Sequence, residues 1–224
     1  MHFSPSSRGR LTSRDLDRFP ANTLFDRLAR AVCRAECLPR KELYEAWEVA
    51  RRVRRLFRGG RVVDLAGGHG LLAQTMMLLD DSSPGALVVD KKLPASGERL
   101  HQALVGVWPR LSGRIAFAEC ELGEVKLFST DVVVSSHACG GLTDLILDRA
   151  AAARARVAVL PCCHNLATCD AGDLSGWVDG ALAIDIVRAL RLQGQGYKIR
   201  TQVIPAEITP KNRLLMAEFT RSVL

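Results

Sequence analysis

Apolar positions along this chain alternate between two periods. Short runs rich in Val, Ile and Leu recur from residue 61 onward, bounded by turn-forming or charged residues, as buried strands require. Between them lie longer segments in which apolar residues return every three or four positions, the period of a helix with one buried face. The predicted strands are 61–66, 85–90, 114–119, 130–136, 156–161, 198–205 and 213–220. The predicted helices between them are 70–80, 95–108, 141–153 and 178–193.

This alternation predicts one α/β sheet with helices on both faces. Strands that alternate with helices run parallel, because the helix carries the chain back across the sheet. The last two strands differ, since only "AEITPKN" separates them. A parallel crossover needs a dozen or more residues, so these two strands must run antiparallel. We therefore expect a Rossmann-like, seven-stranded, mostly parallel sheet with an antiparallel C-terminal strand.

The first 58 residues predict a different organisation. Residues 1–20 are polar and lack a period, which indicates a flexible arm. Residues 22–36 and 40–58 are helical in pattern, and "RGGR" ends the second helix. One face of that helix carries its apolar side chains, which are Leu43, Trp47, Ala50, Val53 and Phe57. The expected units are an arm (1–20), a basic helical extension (21–58) and a main domain (59–224).

The stretch "VVDLAGGHG" (62–70) compresses a strand, a tight turn and a helix start into nine residues. Ligands of open α/β sheets bind beyond the carboxyl ends of the strands, beside the first strand. Glycines there let the backbone approach a ligand closely. Two more acidic residues end the next strands, Asp90 in "LVVDKK" and Glu119 in "IAFAECE". A carboxylate at the end of the second strand can accept both ribose hydroxyls of a nucleoside.

These residues resemble the motif of class I S-adenosylmethionine-dependent methyltransferases, an acid followed by glycines at alternate positions. Asp64 matches the acid, Ala66 replaces the first glycine, and Gly68 and Gly70 match the others. The antiparallel last strand is also typical of that family. The resemblance implies that S-adenosyl-L-methionine is the cofactor. The implied cofactor-binding residues are Asp64, Ala66, Gly67, Gly68, His69, Gly70, Asp90, Lys91, Glu119, Cys120, Ser136 and His137.

The ends of the fourth and fifth strands carry "SSHACGGLTD" and "PCCHN", with His137, Cys139, Cys162, Cys163 and His164. These strands are expected neighbours, so both clusters should face one cleft. A His-x-Cys-Gly followed by Thr-Asp, then a Cys-Cys-His, resembles the group containing eukaryotic tRNA 2′-O-methyltransferases of the acceptor stem and their methyltransferase-like relatives. Those enzymes usually continue Cys-Cys-His-His and carry zinc-finger modules. This chain has Asn165 instead and lacks the modules.

Three roles stand open for this cluster. His137 or His164 can act as a general base, since imidazole titrates near neutral pH. The same side chains can simply pack the pocket and bond the backbone. Cysteines beside histidines also bind zinc, but Cys-Cys-His lacks the usual separation of two to four residues between ligands, so no metal site is predicted.

The excess positive charge lies N-terminal to the glycine loop, the tight turn within "VVDLAGGHG" (62–70). Residues 1–60 hold 14 Arg and Lys against 7 Asp and Glu, whereas residues 61–224 hold 17 of each. A basic appendage on a neutral body suits a polyanion such as RNA, although a solvated helix face explains it as well. The predicted RNA contacts are Arg51, Arg52, Arg55 and Arg58 of the second helix, with Lys211 and Arg213 in the last turn.

Composition narrows the class of protein further. The chain lacks a run of 18 apolar residues and an apolar leader, so we expect no membrane association and no export. Seven cysteines without a repeating spacing indicate free thiols in the cytoplasm. The sequence thus predicts an S-adenosylmethionine-dependent methyltransferase acting on RNA, with tRNA as the first candidate. The alternatives are a small-molecule or protein methyltransferase and a non-catalytic, cofactor-binding partner subunit.

Overall fold

The computed structural model describes residues 3–220, and residues 1–2 and 221–224 of the expected arm and main domain lie outside them. The strands are β1 (Val62–Leu65), β2 (Ala86–Asp90), β3 (Ile115–Glu119), β4 (Val132–Ser135), β5 (Arg156–Val159), β6 (Tyr197–Val203) and β7 (Arg213–Phe219). The helices are α1 (Leu24–Ala35), α2 (Arg40–Leu56), α3 (Leu71–Leu79), α4 (Ser96–Val107), α5 (Gly141–Ala152) and α6 (Gly180–Gly194). Every strand and helix predicted from the sequence is present, with ends shifted by a few residues at most.

The seven strands form one sheet in the order β3-β2-β1-β4-β5-β7-β6. Strands β1 to β5 pair in parallel, and β7 pairs antiparallel with both β5 and β6. The short "AEITPKN" connection therefore forms the antiparallel pair that its length predicted. The chain order reverses between β1 and β4, which places the switch point, and hence the expected ligand position, at the ends of these two strands.

Alternate residues of each central strand enter two different cores. Val62 and Val132 pack with apolar residues of α1, α2, α3 and α4 on one face of the sheet. Val63 and Val133 pack on the other face with residues of α5 and α6. This is the period of two that a strand imposes on its side chains. Burial on both faces explains why these strands are continuous apolar runs.

The N-terminal helices share the core of the main body. Leu28 and Val32 of α1, and Leu43 and Val53 of α2, are fully buried in the same cluster as Val62 of β1. Because this cluster is continuous, α2 lies against α3, the helix that follows the glycine loop. The segment 21–58 thus forms part of one face of the fold, which brings α2 to the expected ligand position.

Residues 3–20 pack against this body, unlike the flexible arm expected from their composition. Leu11 is fully buried, and its backbone N–H donates to the carbonyl of Leu38 at 2.9 Å. A 3-10 helix spans Ser13–Arg18, and Phe19 after it is buried edge-on against Phe3. A few apolar residues anchor this polar segment, and polar composition alone does not reveal them.

Candidate active site

Two glycines of the turn between β1 and α3 leave no room for a side chain. A Cβ at Gly67 would lie 2.8 Å from Asp64 Cγ, and a Cβ at Gly70 would lie 2.8 Å from Val88 Cγ2. A Cβ at Gly68 would meet no atom within 4 Å. Gly67 and Gly70 therefore let the loop close on the sheet, whereas Gly68 leaves open space above the backbone.

Ala66 occupies the position at which the motif has its first glycine. Its φ is 56°, in the left-handed region that non-glycine residues rarely adopt. Gly68 and Gly70 share this conformation, with φ of 51° and 72°. The loop therefore keeps the backbone shape of a glycine-rich turn although its first position carries a methyl group.

Asp90, at the end of β2, connects the loop to the neighbouring strand. Its Oδ2 accepts a hydrogen bond from the N–H of Gly68 at 3.0 Å, and its Oδ1 accepts one from the N–H of Lys92 at 3.3 Å. A carboxylate has about four acceptor positions, so each oxygen keeps capacity for a further donor. Asp90 thus holds the loop in place and still presents a charged acceptor to the space beside it.

Asp64 supports the same loop from beneath. Its Oδ2 accepts a hydrogen bond from the N–H of Ala73 at 3.2 Å, and its buried Oδ1 has no partner among the described residues. Burial raises the pKa of Asp64 to about 7 against the opposing effect of the Ala73 N–H, and the charge of Asp90 adds to the rise. The carboxyl therefore changes charge near neutral pH.

A cavity of about 370 Å³ opens at this loop. We call it the loop cavity. One wall is the turn from Ala66 to His69 with Asp90, and a second is Ser136 and His137 beyond β4. The third wall comes from the N-terminal segment, through Leu38 and Glu42. A smaller cavity of about 180 Å³ adjoins it at Gly68 and is lined by residues such as Leu93 and Phe117.

Two titratable side chains of the loop cavity are perturbed. Burial raises the pKa of Glu42, and the charge of His137 opposes this rise. Burial lowers the pKa of His69, and the charges of His137 and Arg99 lower it further. His69 Nε2 also shares a hydrogen bond of 2.7 Å with Ser96 Oγ. His137 is therefore close enough to influence both Glu42 and His69, and such perturbed groups are a feature of functional clefts.

Glu42 and Leu38 were not among the predicted site residues, because residues 21–58 were expected to form a separate extension. Five residues of the predicted cofactor set are not among those that line the loop cavity. Asp64 and Gly70 support the loop from beneath, and the other three are Lys91, Glu119 and Cys120. Lys91 forms an exposed ion pair with Glu121 at 2.7 Å. Glu119 is exposed and accepts a hydrogen bond from the N–H of Leu93 at 2.9 Å. The N–H of Cys120 donates to the carbonyl of Asp90 at 3.1 Å.

Residues 41–169, more than half of the chain, match the model of a protein family described as "Methyltransferase domain". The chain belongs to this methyltransferase family. The match begins inside α2, so it includes the helix that supplies Glu42 to the loop cavity. Residues 41–169 therefore form a methyltransferase domain.

Solved structures share the fold of this methyltransferase. An O-methyltransferase family protein from Burkholderia thailandensis aligns with a TM-score of 0.54 and 16% identity, covering 95% of this chain and 64% of that one. Mitomycin 7-O-methyltransferase MmcR aligns with 0.54 and 20%, covering 93% and 63%. The tRNA methyltransferase TrmK of B. subtilis aligns with 0.51 and 15%, covering 77% and 66%.

This methyltransferase spans just under two thirds of the length of those three proteins. At such identities the likeness is one of fold, which is the class I methyltransferase fold expected from the sequence. A search of curated proteins found no match. Within residues 3–220, the methyltransferase has no helix with both the length and the apolar character needed to cross a membrane.

The structure separates the two histidines predicted as candidate bases. His137 is exposed and lines the loop cavity. His164 has a buried side chain whose Nε2 donates to Asp185 Oδ1 at 2.7 Å. Asp185 also accepts a hydrogen bond from Arg213 Nε at 2.7 Å. His164 therefore belongs to a hydrogen-bond network between the β5 loop, α6 and β7, and is not among the residues that line the loop cavity.

The cysteines beyond β4 and β5 come together in the methyltransferase. Cys139 and Cys163 form an isolated parallel bridge, and the N–H of Gly140 donates to the carbonyl of Cys163 at 3.0 Å. The Sγ atoms of Cys139 and Cys162 are 3.3 Å apart, and those of Cys162 and Cys163 are 3.7 Å apart. The two loops that carry the three thiols therefore meet, but none of the three is among the residues that line the loop cavity.

Most of the arginines predicted to contact RNA are engaged in ion pairs. Arg51 and Arg52 both pair with Glu48, one turn earlier on α2. Arg58 lies 3.7 Å from Asp80, and Arg213 is held by Asp185. Arg55 and Lys211 are exposed, and neither forms a salt bridge within residues 3–220. The α2 surface therefore carries less free charge than its composition indicates.

Proposed function

We propose that this methyltransferase uses S-adenosyl-L-methionine and binds it in the loop cavity. The observation that carries the proposal is the combination of the Gly68 backbone, which has open space above it, with the Asp90 carboxylate beside it. A nucleoside needs such a close backbone approach and a charged acceptor for its ribose hydroxyls. Asp64, Gly67 and Gly70 act from beneath, by shaping the loop.

Bound S-adenosylmethionine supplies an electrophilic methyl group on a sulfonium centre. The chain's own residues position the acceptor, exclude water and remove a proton from the acceptor where it carries one. His137 is suited to the proton, because it is accessible on the wall of the loop cavity. Glu42 on the α2 wall is suited to pair with His137 once the imidazole is protonated. His164 is better suited to a structural role, since Asp185 already holds it.

RNA is the acceptor that we propose, and the resemblance of the "SSHACGGLTD" and "PCCHN" stretches makes tRNA the first RNA to test. Exposed cations near the loop cavity support an anionic substrate. Arg10 and Arg99 both lower the pKa of Cys37 against the larger effect of burial, so both lie near the residue that precedes Leu38 of the cavity wall. Neither arginine forms a salt bridge within residues 3–220. With Arg55, they leave positive charge available to phosphates.

The experiment that tests this proposal offers methyl-labelled cofactor together with separate RNA, protein and metabolite fractions of a cell lysate. We expect label in the RNA fraction, concentrated in tRNA. If the acceptor is a ribose hydroxyl, alkali will leave labelled dinucleotides, because a 2′-O-methyl group prevents cleavage of the adjacent phosphodiester. Label only in protein or metabolites would contradict the RNA proposal. Binding of the cofactor without label in any fraction would support a non-catalytic partner subunit instead.

A further inference from the structure

We propose that Cys139, Cys162 and Cys163 bind one Zn²⁺ ion through three thiolates and leave a fourth coordination position open. The Sγ atoms of these residues all lie within 4.8 Å of one another. They are supplied by two loops, the one after β4 and the one after β5. Metal binding and methyl transfer are separate properties, so this proposal stands apart from the choice of cofactor or acceptor.

The distances between the sulfurs fit a single metal ion. Zinc–sulfur bonds of about 2.3 Å in tetrahedral geometry place two sulfurs about 3.8 Å apart. The observed separations are 3.3 Å for Cys139 and Cys162 and 3.7 Å for Cys162 and Cys163. A disulfide would instead join two sulfurs at about 2.05 Å and leave the third without a partner. All three cysteines are free in the structure.

The backbone already holds the two loops in the position that a shared metal requires. The parallel bridge between Cys139 and Cys163, with the hydrogen bond from Gly140 N–H to Cys163, fixes one loop on the other. Metal ligands that are set in place by the fold bind at less entropic cost than ligands on mobile chains. The expectation of no metal site rested on spacing along one loop, whereas Cys139 precedes Cys162 by 23 residues.

The coordination number follows from the neighbours of the three thiols. Within the described residues, Cys139, Cys162 and Cys163 form the whole group, since no fourth Cys, His, Asp or Glu ligand atom joins it. Cys139 and Cys163 are exposed, so solvent reaches the group. Structural zinc sites are usually closed by four protein ligands, whereas three ligands with an open position are typical of sites that bind water or substrate. The group adjoins a residue of the loop cavity wall, because Cys139 Sγ lies 3.6 Å from the carbonyl oxygen of His137.

The first test is the zinc content of the full-length protein, expressed with added zinc and purified under reducing conditions. We expect about one zinc per chain. Single changes Cys139→Ser, Cys162→Ser and Cys163→Ser should each weaken zinc binding by at least tenfold, measured by competition with a chromogenic chelator. Cys37→Ala is the matched control, because it removes a thiol outside the group, and its zinc content should be unchanged. Equal zinc in the control and in the three variants would overturn the proposal.

Cobalt substitution provides a readout that needs no variant. Co²⁺ bound to the metal-free wild type should give intense sulfur-to-cobalt charge-transfer absorption, scaled to three thiolates, and visible bands of tetrahedral cobalt. Added imidazole should change these bands by occupying the open position. Absence of charge-transfer absorption in reduced protein of native circular dichroism would refute the site. Unchanged bands on adding imidazole would refute the open position.

Discussion

At the residue scale, the glycine loop depends on two carboxylates with different tasks. Asp90 faces the loop cavity and accepts hydrogen bonds from two backbone N–H groups. Asp64 is buried beneath the loop and has one such bond. The difference in burial gives them different electrostatic behaviour, because a charged group without water must be compensated by the hydrogen bonds that remain.

Asp64 should make stability fall as pH rises towards neutrality. Its pKa is about 7 in the folded chain against an ordinary value of 3.8, so the folded state binds more protons between these values. The free energy of unfolding should therefore decrease between pH 5 and pH 8. Asp64→Asn removes this titration, and the decrease should be smaller by about 2 to 3 kcal/mol. Urea denaturation of both proteins without cofactor measures the difference, and parallel pH profiles would contradict the assignment.

His137 and His164 should respond differently to removal. His137→Ala should lower turnover by about 10²-fold or more while cofactor affinity stays near that of the wild type, since a general base acts on the acceptor. His164→Ala should change turnover per folded molecule by only a few fold and should lower the melting temperature, because Asp185 loses a buried partner. Turnover and calorimetry on both variants test this, and near-normal turnover of His137→Ala would assign that residue a packing role.

At the scale of single elements, α2 connects the N-terminal segment to the site. Its buried face packs on α3, and its Glu42 reaches the loop cavity. Arg54 on the same helix is 2% exposed and donates to Met76 O at 3.1 Å and to Ser83 Oγ at 2.7 Å, with Asp80 at 3.2 Å. Burial lowers the pKa of Arg54 to about 10, and Asp80 opposes the shift. This arginine therefore fixes α2 to the segment that follows α3.

Neighbouring arginines of α2 provide a matched pair for this element. Arg54→Ala should lower the free energy of unfolding by about 3 to 5 kcal/mol, because it removes the buried cation that pairs with Asp80 and the donor to two buried acceptors. Arg55→Ala changes an exposed side chain one residue later and should stay within about 0.5 kcal/mol of the wild type. Denaturant titrations of the two variants make the comparison, and similar losses for both would contradict the role of Arg54.

At the scale of the whole molecule, the sheet could be predicted almost completely from the sequence. Val-rich runs such as 132–134 carry the period of a buried strand, and the short "AEITPKN" segment before β7 carries the spacing that determines strand pairing. Contacts between distant segments could not be predicted in this way. The α2 wall, the pairing of His164 with Asp185 and the meeting of Cys139 with Cys162 depend on how loops and helices pack, which local periodicity does not encode.

The charge distribution of the whole molecule leads to a prediction about RNA binding. A triple variant with Arg10, Arg55 and Arg99 changed to Gln should bind tRNA more weakly and show a flatter plot of log affinity against log salt, losing about 0.7 to 0.9 of slope per lost phosphate contact. A double variant with Arg51 and Arg52 changed to Gln should reduce tRNA affinity and the salt slope less, because Glu48 already neutralises part of their charge. Filter binding across a salt series measures both slopes. Equal slopes for all three proteins would favour a small-molecule or protein acceptor.

Cofactor binding at the loop cavity is the central claim, and calorimetric titration with S-adenosylmethionine tests it most directly. Asp90→Ala should weaken the affinity about tenfold or more, because a ribose would lose its charged acceptor. Asp90→Asn should lie between this variant and the wild type, since the amide retains one acceptor oxygen. Asp17→Ala, an exposed carboxylate of the N-terminal segment, should bind as the wild type does. Wild-type affinity in Asp90→Ala, or an equal loss in Asp17→Ala, would contradict the placement of the cofactor at the loop cavity.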